Sequence, residues 1–450
     1  MKKVERDVSS YIDNEAKEYT FYTIVNRALP SMIDGLKPSQ RFVLYSAMEN
    51  AGSNFKKNEY LCGVISDYGY NHGASSAFGA AAGLANNWNN NYPILEGKGN
   101  FGSRAVRDAA EPRYIQCRLN DNFDIFFKDN DILLPHEISS YKTPKFYYPV
   151  IPFVLINGSR GIATAYRCDI PPHDIHSVID ECISYVKTGK CNNPKIKYPS
   201  FIGNIYTPEN ETWYMEGIYE LQGKTKLIIK EIPIKYDRPK YITLLNKLVD
   251  TGAIVNHEEI DGDGEFTFRV TLKRDADTSH KSIVDMFDLR ENIIVNLSTI
   301  GPESNMVDGN MDLRLYNETS ELVSDFIDYR MTVVDKRIVN MVEKLERQIP
   351  EYRARAKFIQ NARDGKYDFK QSKKILIQQV SDSFDEELKQ FSDKVVAMPI
   401  FNMTDEEVTR INKELEKAEK ELVYWKGTNP KKEYLKDLSV LKETLTKGKK

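Results

Sequence analysis

In the stretch RAVRDAAEPRYIQCRL, residues 104–119, Tyr114 stands beside Arg113, with Arg104, Arg107 and Arg118 close in sequence. Tyrosine is a poor nucleophile at neutral pH. With an ordinary pKa near 10, about one phenol in a thousand is ionised, a deficit of roughly 4 kcal/mol. Guanidinium groups stabilise a phenolate and also grip phosphate in a two-point fork. Together these side chains suit nucleophilic attack on a phosphodiester. The aryl phosphate ester so formed keeps a good leaving group, so the bond can be reversed without a fuel. An arginine-rich surface helix with a half-buried tyrosine is the plainer use of the same composition.

Such chemistry needs elements that hold the residues. Residues 8–26 read as a helix with Ile12, Tyr19, Tyr22 and Val25 on its apolar positions, stopped by Pro30 after Arg27-Ala28-Leu29. Asp34-Gly35-Leu36-Lys37-Pro38-Ser39-Gln40-Arg41 opens a second helix, through Phe42 to Met48, with proline favourably near its start. Lys37 and Arg41 are candidate phosphate ligands there. After the turn Tyr70-Asn71-His72-Gly73, residues 74–87 read as a helix of small side chains that includes Ser75. Gly79 and Gly83, four apart, cost about 1 kcal/mol each against alanine and imply a close helix or backbone approach. Gly97-Lys98-Gly99-Asn100-Phe101-Gly102 forms a loop of tight turns leading toward Tyr114. The β-branched run from Tyr147 to Ala165, broken by Asn157-Gly158 and Arg160-Gly161, reads as strands and turns, with Ile162 between Gly161 and Ala163.

In this order these motifs resemble the DNA-cleaving subunit of type IIA topoisomerases, including its bacteriophage branch, and the resemblance covers nearly the whole chain. It implies an α+β multidomain architecture: an N-terminal helical arm (1–24), a winged-helix domain with the catalytic tyrosine (25–150) and an α/β tower domain (151–315). A long antiparallel coiled coil (316–350 and 401–445) then carries a small helical dimerisation head, the C-gate (351–400). It assigns Tyr114 as nucleophile, Arg113 and Arg27 to the scissile phosphate, and a supporting role to His72. Lys37, Arg41, Ser75 and Arg104 become DNA contacts, and Ile162 the wedge that unstacks a base step at a cost of a few kcal/mol. The pattern departs from the family in three places, one of them Ala165, which stands for a glycine. Gln40-Arg41-Phe42 stands for His-Arg-Arg, and Tyr70-Asn71-His72 for His-Pro-His.

The remaining chain agrees with that outline. Residues 226–233, 241–251 and 266–272 read as strand, helix and strand. Ile327, Met331, Val334, Ile338, Met341 and Leu345 step by four and three. Val408, Ile411, Leu415, Ala418, Leu422 and Trp425 do the same after a capping box at Thr404-Asp405-Glu406-Glu407. Two heptad helices about sixty residues apart read as an antiparallel pair closed by a small head.

Composition bounds the partners. The net charge is −3, and residues 1–175 hold 19 Lys and Arg against 19 Asp and Glu, so any basic face must come from sorting charges rather than from excess. Five cysteines without C-x-x-C spacing read as reduced thiols of a cytoplasmic protein. No apolar run approaches the about eighteen residues of a membrane span. Neither a carboxylate cluster for a metal nor a G-x-x-x-x-G-K-[ST] loop for ATP is visible. The resemblance therefore implies a large partner subunit bringing Mg²⁺ on a Toprim domain and an ATPase, besides a homodimer of this chain on double-stranded DNA. The chain stops soon after the return helix, so no DNA-wrapping propeller and no negative supercoiling are expected. Two other readings compete: a non-catalytic DNA-bending or tethering protein with a coiled-coil arm, and a tyrosine recombinase, which makes a 3′ rather than a 5′ link.

Overall fold

The computed structural model describes residues 7–164, 166–207, 212–260, 266–399 and 403–447. Up to Arg330, and again from Asp437, the chain forms one unit; Met331–Lys436 forms a second.

The first unit begins with helices Val8–Tyr11 and Lys17–Thr23, extended by the wider turns Ile12–Ala16 and Ile24–Ala28. Leu29 then turns extended, as a residue before proline must. Helix Pro38–Asn50 starts on its proline and buries Phe42, Val43 and Leu44. Helices Asn58–Gly63 and Ala74–Ala85 follow. A three-stranded antiparallel sheet backs them, with Gln116–Leu119 in the centre between Lys56–Lys57 and Leu95–Lys98. The central strand begins two residues after Tyr114, so the sheet fixes where the tyrosine emerges.

The small-residue helix departs from expectation. A Cβ on Gly79 or Gly83 would meet nothing within 4 Å, and Ser75 and Gly79 are exposed. Among the described residues, no close approach requires either glycine. The run after Tyr147 also holds a surprise. Phe153–Asn157 is a helical turn, entered from Pro152, and its Phe153, Val154, Leu155 and Ile156 are all buried. A fully buried apolar run carries no period to distinguish strand from helix. The predicted strands there reduce to Tyr148–Pro149, paired with Phe127–Lys128, and Ser159–Ile162, the first strand of a hairpin with Arg167–Ile170. Ala165 lies outside the described residues.

Beyond residue 200 a four-stranded antiparallel sheet runs in the order Ile218–Gln222, Lys226–Glu231, Phe268–Leu272, Ile254–Glu259. Leu227, Ile229, Phe268 and Val270 alternate inward and pack with Tyr241 and Leu245 of helix Arg238–Asp250. Ala105, from the loop before Tyr114, is part of this core.

From Met331 onward the long helix Thr319–Arg363, with Pro350 inside it, belongs to the second unit, and there it packs against the returning helix Asp405–Lys426. Ion pairs Glu346–Lys426, Arg353–Glu419 and Arg363–Asp405 rise along one helix and fall along the other, which makes the pair antiparallel. Thr404 accepts from the Glu407 N–H, capping the return. Leu345, Ile349 and Ala418 form the buried seam, flanked by Leu415, Leu422 and Trp425. Between the helices a small core gathers Phe358, Tyr367, Leu376, Val380, Leu388 and Val395. The return is not one helix to residue 445: it breaks after Lys426 and restarts at Pro430–Lys447. Among the described residues no helix is long and apolar enough to cross a membrane.

Candidate active site and DNA surface

Tyr114 closes the turn Glu111–Tyr114, its N–H donating to the Glu111 carbonyl at 2.9 Å. The turn is held from the side by the start of helix Asn58–Gly63. The Asn58 N–H donates to the Ile115 carbonyl at 3.0 Å, and the Glu59 N–H to that of Pro112 at 3.3 Å. The backbone is fixed while the ring is 69% exposed, and the Arg113 guanidinium lies 4.7 Å from the ring centre. Among the described residues Arg113 has one ion pair, a loose 3.6 Å contact with Glu111, with both side chains more than half exposed. Its fork remains free to meet an incoming anion. Arg118, on the central strand, is instead spent on Glu96 and Asp121.

A second cluster joins Arg27 and His72. The Tyr22 hydroxyl meets His72 Nε2 at 3.0 Å, and the Arg27 guanidinium sits 5.7 Å from the Tyr22 ring centre. Burial, then the Arg27 charge, hold the His72 imidazole below its ordinary pKa. Tyr22 links the two predicted residues, yet in sequence it reads only as an apolar helix position. A five-residue spacing does not bring two side chains together on an ordinary helix, and it is the wider turn Ile24–Ala28 that carries Arg27 over the Tyr22 ring. Among the described residues no hydrogen bond, ion pair or ring contact joins this cluster to Tyr114 and Arg113.

Ile162 ends the strand Ser159–Ile162 and is 74% exposed, so it fills no core. Gly161 explains its reach: a Cβ there would overlap the Ala28 carbonyl, so only glycine lets the hairpin seat against the turn bearing Arg27. Lys37 reinforces the seat, donating to the Arg160 carbonyl at 2.6 Å, and burial holds its ammonium below the ordinary lysine range. Lys37 thus positions the hairpin. Ser75 is exposed in the first turn of helix Ala74–Ala85, where free backbone N–H groups favour anions.

Two expected DNA contacts are corrected. Arg41 is 6% exposed and forms a two-point pair with Asp34, at 2.8 Å and 3.0 Å, while also reaching the Leu36 carbonyl. Asp34 in turn accepts from the Leu36 and Tyr147 N–H groups. Arg41 therefore braces the segment between Arg27 and its own helix. Arg104 is 2% exposed and pairs with Glu231 at 2.6 Å, away from solvent. In both, a carboxylate of the chain itself occupies the fork that a phosphate would need. Among the described residues, no three His, Cys, Asp or Glu side chains converge as a metal shell.

The chain thus presents an exposed tyrosine with an arginine against its ring and, on a hairpin, an exposed isoleucine. The chain belongs to the family of DNA gyrase and topoisomerase IV A-subunits, whose model matches residues 27–445. It is 36% identical over 447 residues to the DNA topoisomerase medium subunit of Enterobacteria phage T4, covering 97% of this chain and 99% of that protein. The mitochondrial DNA topoisomerase 2 of Dictyostelium discoideum is 27% identical over 479 residues, with 99% of this chain but 37% of that protein covered. The crystal structure of the DNA-binding, cleavage and re-ligation domain of Plasmodium falciparum topoisomerase II superposes with a TM-score of 0.85 at 25% identity. That match covers 97% of this chain and 64% of the other.

Proposed function

We propose that this chain is the DNA-cleaving and rejoining subunit of an ATP-dependent type II DNA topoisomerase, with Tyr114 as its nucleophile. The observation that carries the reading is the exposed Tyr114 ring on a turn fixed from the side, with Arg113 against it. The Tyr114 oxygen gives up its proton and bonds to a backbone phosphorus. The bond from phosphorus to the 3′ oxygen breaks, and that oxygen takes up a proton, leaving a 5′-phosphotyrosyl link and a free 3′ hydroxyl. Reversal reseals the strand. Arg113 binds the scissile phosphate and offsets the charge that accumulates on it. Arg27 and His72 act around the same phosphate, and Tyr22 sets the imidazole. Each strand needs its own tyrosine, which a two-fold homodimer supplies.

In this reading residues 25–150 are a winged-helix domain, supported by the helix and strand order around the three-stranded sheet. The four-stranded module is the tower. The antiparallel helices are a coiled-coil arm, and the helical core at residues 351–400 is the C-gate head. Ile162 enters the duplex as a wedge from its hairpin tip, and Ser75 lies at the backbone. The large partner subunit brings the Toprim domain with Mg²⁺ and the ATPase. The metal supplies charge neutralisation at the phosphate, and every proton and phosphate contact above belongs to this chain's own residues. The site of action is the cytoplasm, that of the host for a viral protein.

The test is detergent trapping of plasmid DNA by the reconstituted holoenzyme carrying Tyr114→Phe. The variant removes one hydroxyl and leaves Arg113 in place, so DNA binding persists while the covalent adduct disappears. Adduct at the wild-type level, or an adduct linked through the 3′ phosphate, refutes the assignment.

A further inference from the structure

The loop between Lys98 and Gln116 is anchored where its function alone gives no reason to anchor it. Arg104 inserts into the four-stranded module. Its guanidinium pairs with Glu231, donates to the Ser200 carbonyl at 3.1 Å and to that of Ile232, and lies between the Phe201 and Phe266 rings at 5.3 and 4.9 Å. Glu231, at the end of its strand, also accepts from the Ile202 and Ile232 N–H groups, so the carboxylate organises the whole socket. Ala105 is buried in that module's core and accepts at its carbonyl from the Arg238 N–H at 3.0 Å. Arg107 donates to the Ile234 and Tyr236 carbonyls, at 2.5 and 3.0 Å. Three anchors in four residues therefore tie residues 104–107 to the segment 231–238.

The loop is also closed on itself around these anchors, and one backbone bond ties the stretch that leads on to the tyrosine. Gly102 takes a positive φ of 78° where a Cβ would press on the Arg107 carbonyl. The Ser103 N–H donates to the Val106 carbonyl at 2.7 Å, and the Ala110 N–H to that of Asn100 at 2.9 Å. Ala110 directly precedes the turn Glu111–Tyr114. The turn has two supports, helix Asn58–Gly63 on one side and the four-stranded module, through this loop, on the other.

We infer that Arg104 and Arg107 are positioning residues for the cleavage reaction, latching the nucleophile's turn to the four-stranded module so that Tyr114 is aimed by both. This rests on Tyr114 being the nucleophile. Near-attack alignment is sensitive to displacements of about 1 Å, which cost up to roughly a hundredfold in rate.

The experiment uses the holoenzyme with Arg107→Gln and Arg104→Lys. Arg107 is only partly buried, so its loss leaves no buried charge alone. Lysine at 104 keeps the ion pair with Glu231 but cannot reach both carbonyls or stack between the rings. Single-turnover cleavage, DNA affinity and melting temperature are measured for each. Cleavage is also measured on a duplex whose scissile 3′ oxygen is replaced by sulfur, which leaves without assistance. Both variants should cleave roughly ten- to a hundredfold more slowly at unchanged affinity, with the melting temperature unchanged for Arg107→Gln and lowered for Arg104→Lys by too little to account for the loss of cleavage. The defect should persist on the sulfur duplex, because attack rather than departure is misaligned. Recovery on the sulfur duplex, cleavage falling only in step with melting temperature, or wild-type cleavage by both variants would each overturn the inference. A wild-type holoenzyme that forms no Tyr114 adduct at all fails the functional reading instead, and the inference with it.

Discussion

The two halves of the loop before Tyr114 put the same side chain to opposite uses. In the first half Arg104 is buried against a carboxylate, two carbonyls and two aromatic rings. In the second half Arg113 has a single loose ion pair and a tyrosine beneath it. Guanidinium chemistry is identical in both, so what separates architecture from catalysis is the supply of partners within the chain. An arginine whose charge and terminal nitrogens are taken up by its own fold holds position; one left exposed with a loose partner is available to a phosphate.

Substitution should expose this contrast most strongly at the buried end. Arg104→Ala leaves Glu231 buried without its cation and should cost about 3–5 kcal/mol of stability, read from denaturant unfolding. A loss below about 1 kcal/mol would mean that the pair is not desolvated as it stands here.

The same division holds for titration. His173 is 1% exposed, and burial pushes its pKa down to about 4, against an ordinary value near 6.5. Because the folded value lies below the unfolded one, the unfolded chain binds the extra proton first. Stability is therefore full above about pH 6.5 and falls as the pH drops toward about 4, by about 3 kcal/mol from this residue. Unfolding followed against pH should show that loss, and His173→Gln should flatten this part of the profile.

At the exposed end the effect moves from stability to rate. Arg113→Ala should slow cleavage about a hundredfold, measured as adduct formation in a single turnover. Its exposed pair with Glu111 contributes no more than about 1 kcal/mol, so the melting temperature should barely change. A large stability loss with normal cleavage would invert the comparison.

The smallest stability effect belongs to Ile162→Ala, within about 0.5 kcal/mol because the side chain stands in solvent. Ile170→Ala, on the facing strand and 2% exposed, should cost about 2–5 kcal/mol. DNA bending measured by energy transfer should fall with Ile162→Ala, and unchanged bending would remove the wedge.

Elements with a period were legible in the sequence. The steps of three and four from Ile327 and from Val408 fall in the helices Thr319–Arg363 and Asp405–Lys426, because a helix seam repeats whatever its partner is. Phe153–Asn157 was not legible, since uniform burial erases the period. Arg41 and Arg104 were misread for a different reason: residue type states what a guanidinium binds but not who supplies it. Asp34, seven residues before Arg41, was a visible candidate. Glu231 is 127 positions from Arg104, and only the packed fold brings them together. Gly79 and Gly83 were misread as marks of a close approach, since among the described residues a Cβ at either would stand in open space.

The ion pairs of the antiparallel helices carry a mechanical consequence. Glu346–Lys426 and Arg353–Glu419 sit on either side of the Ile349 and Ala418 seam, so they act like teeth on two racks. Sliding one helix by a single turn, about 5.4 Å, would unmesh both pairs and carry the seam out of register. The buried seam is what resists the slide, because each half-exposed ion pair adds no more than about 1 kcal/mol. A load applied along one helix is shared by the other rather than dissipated as slippage between them.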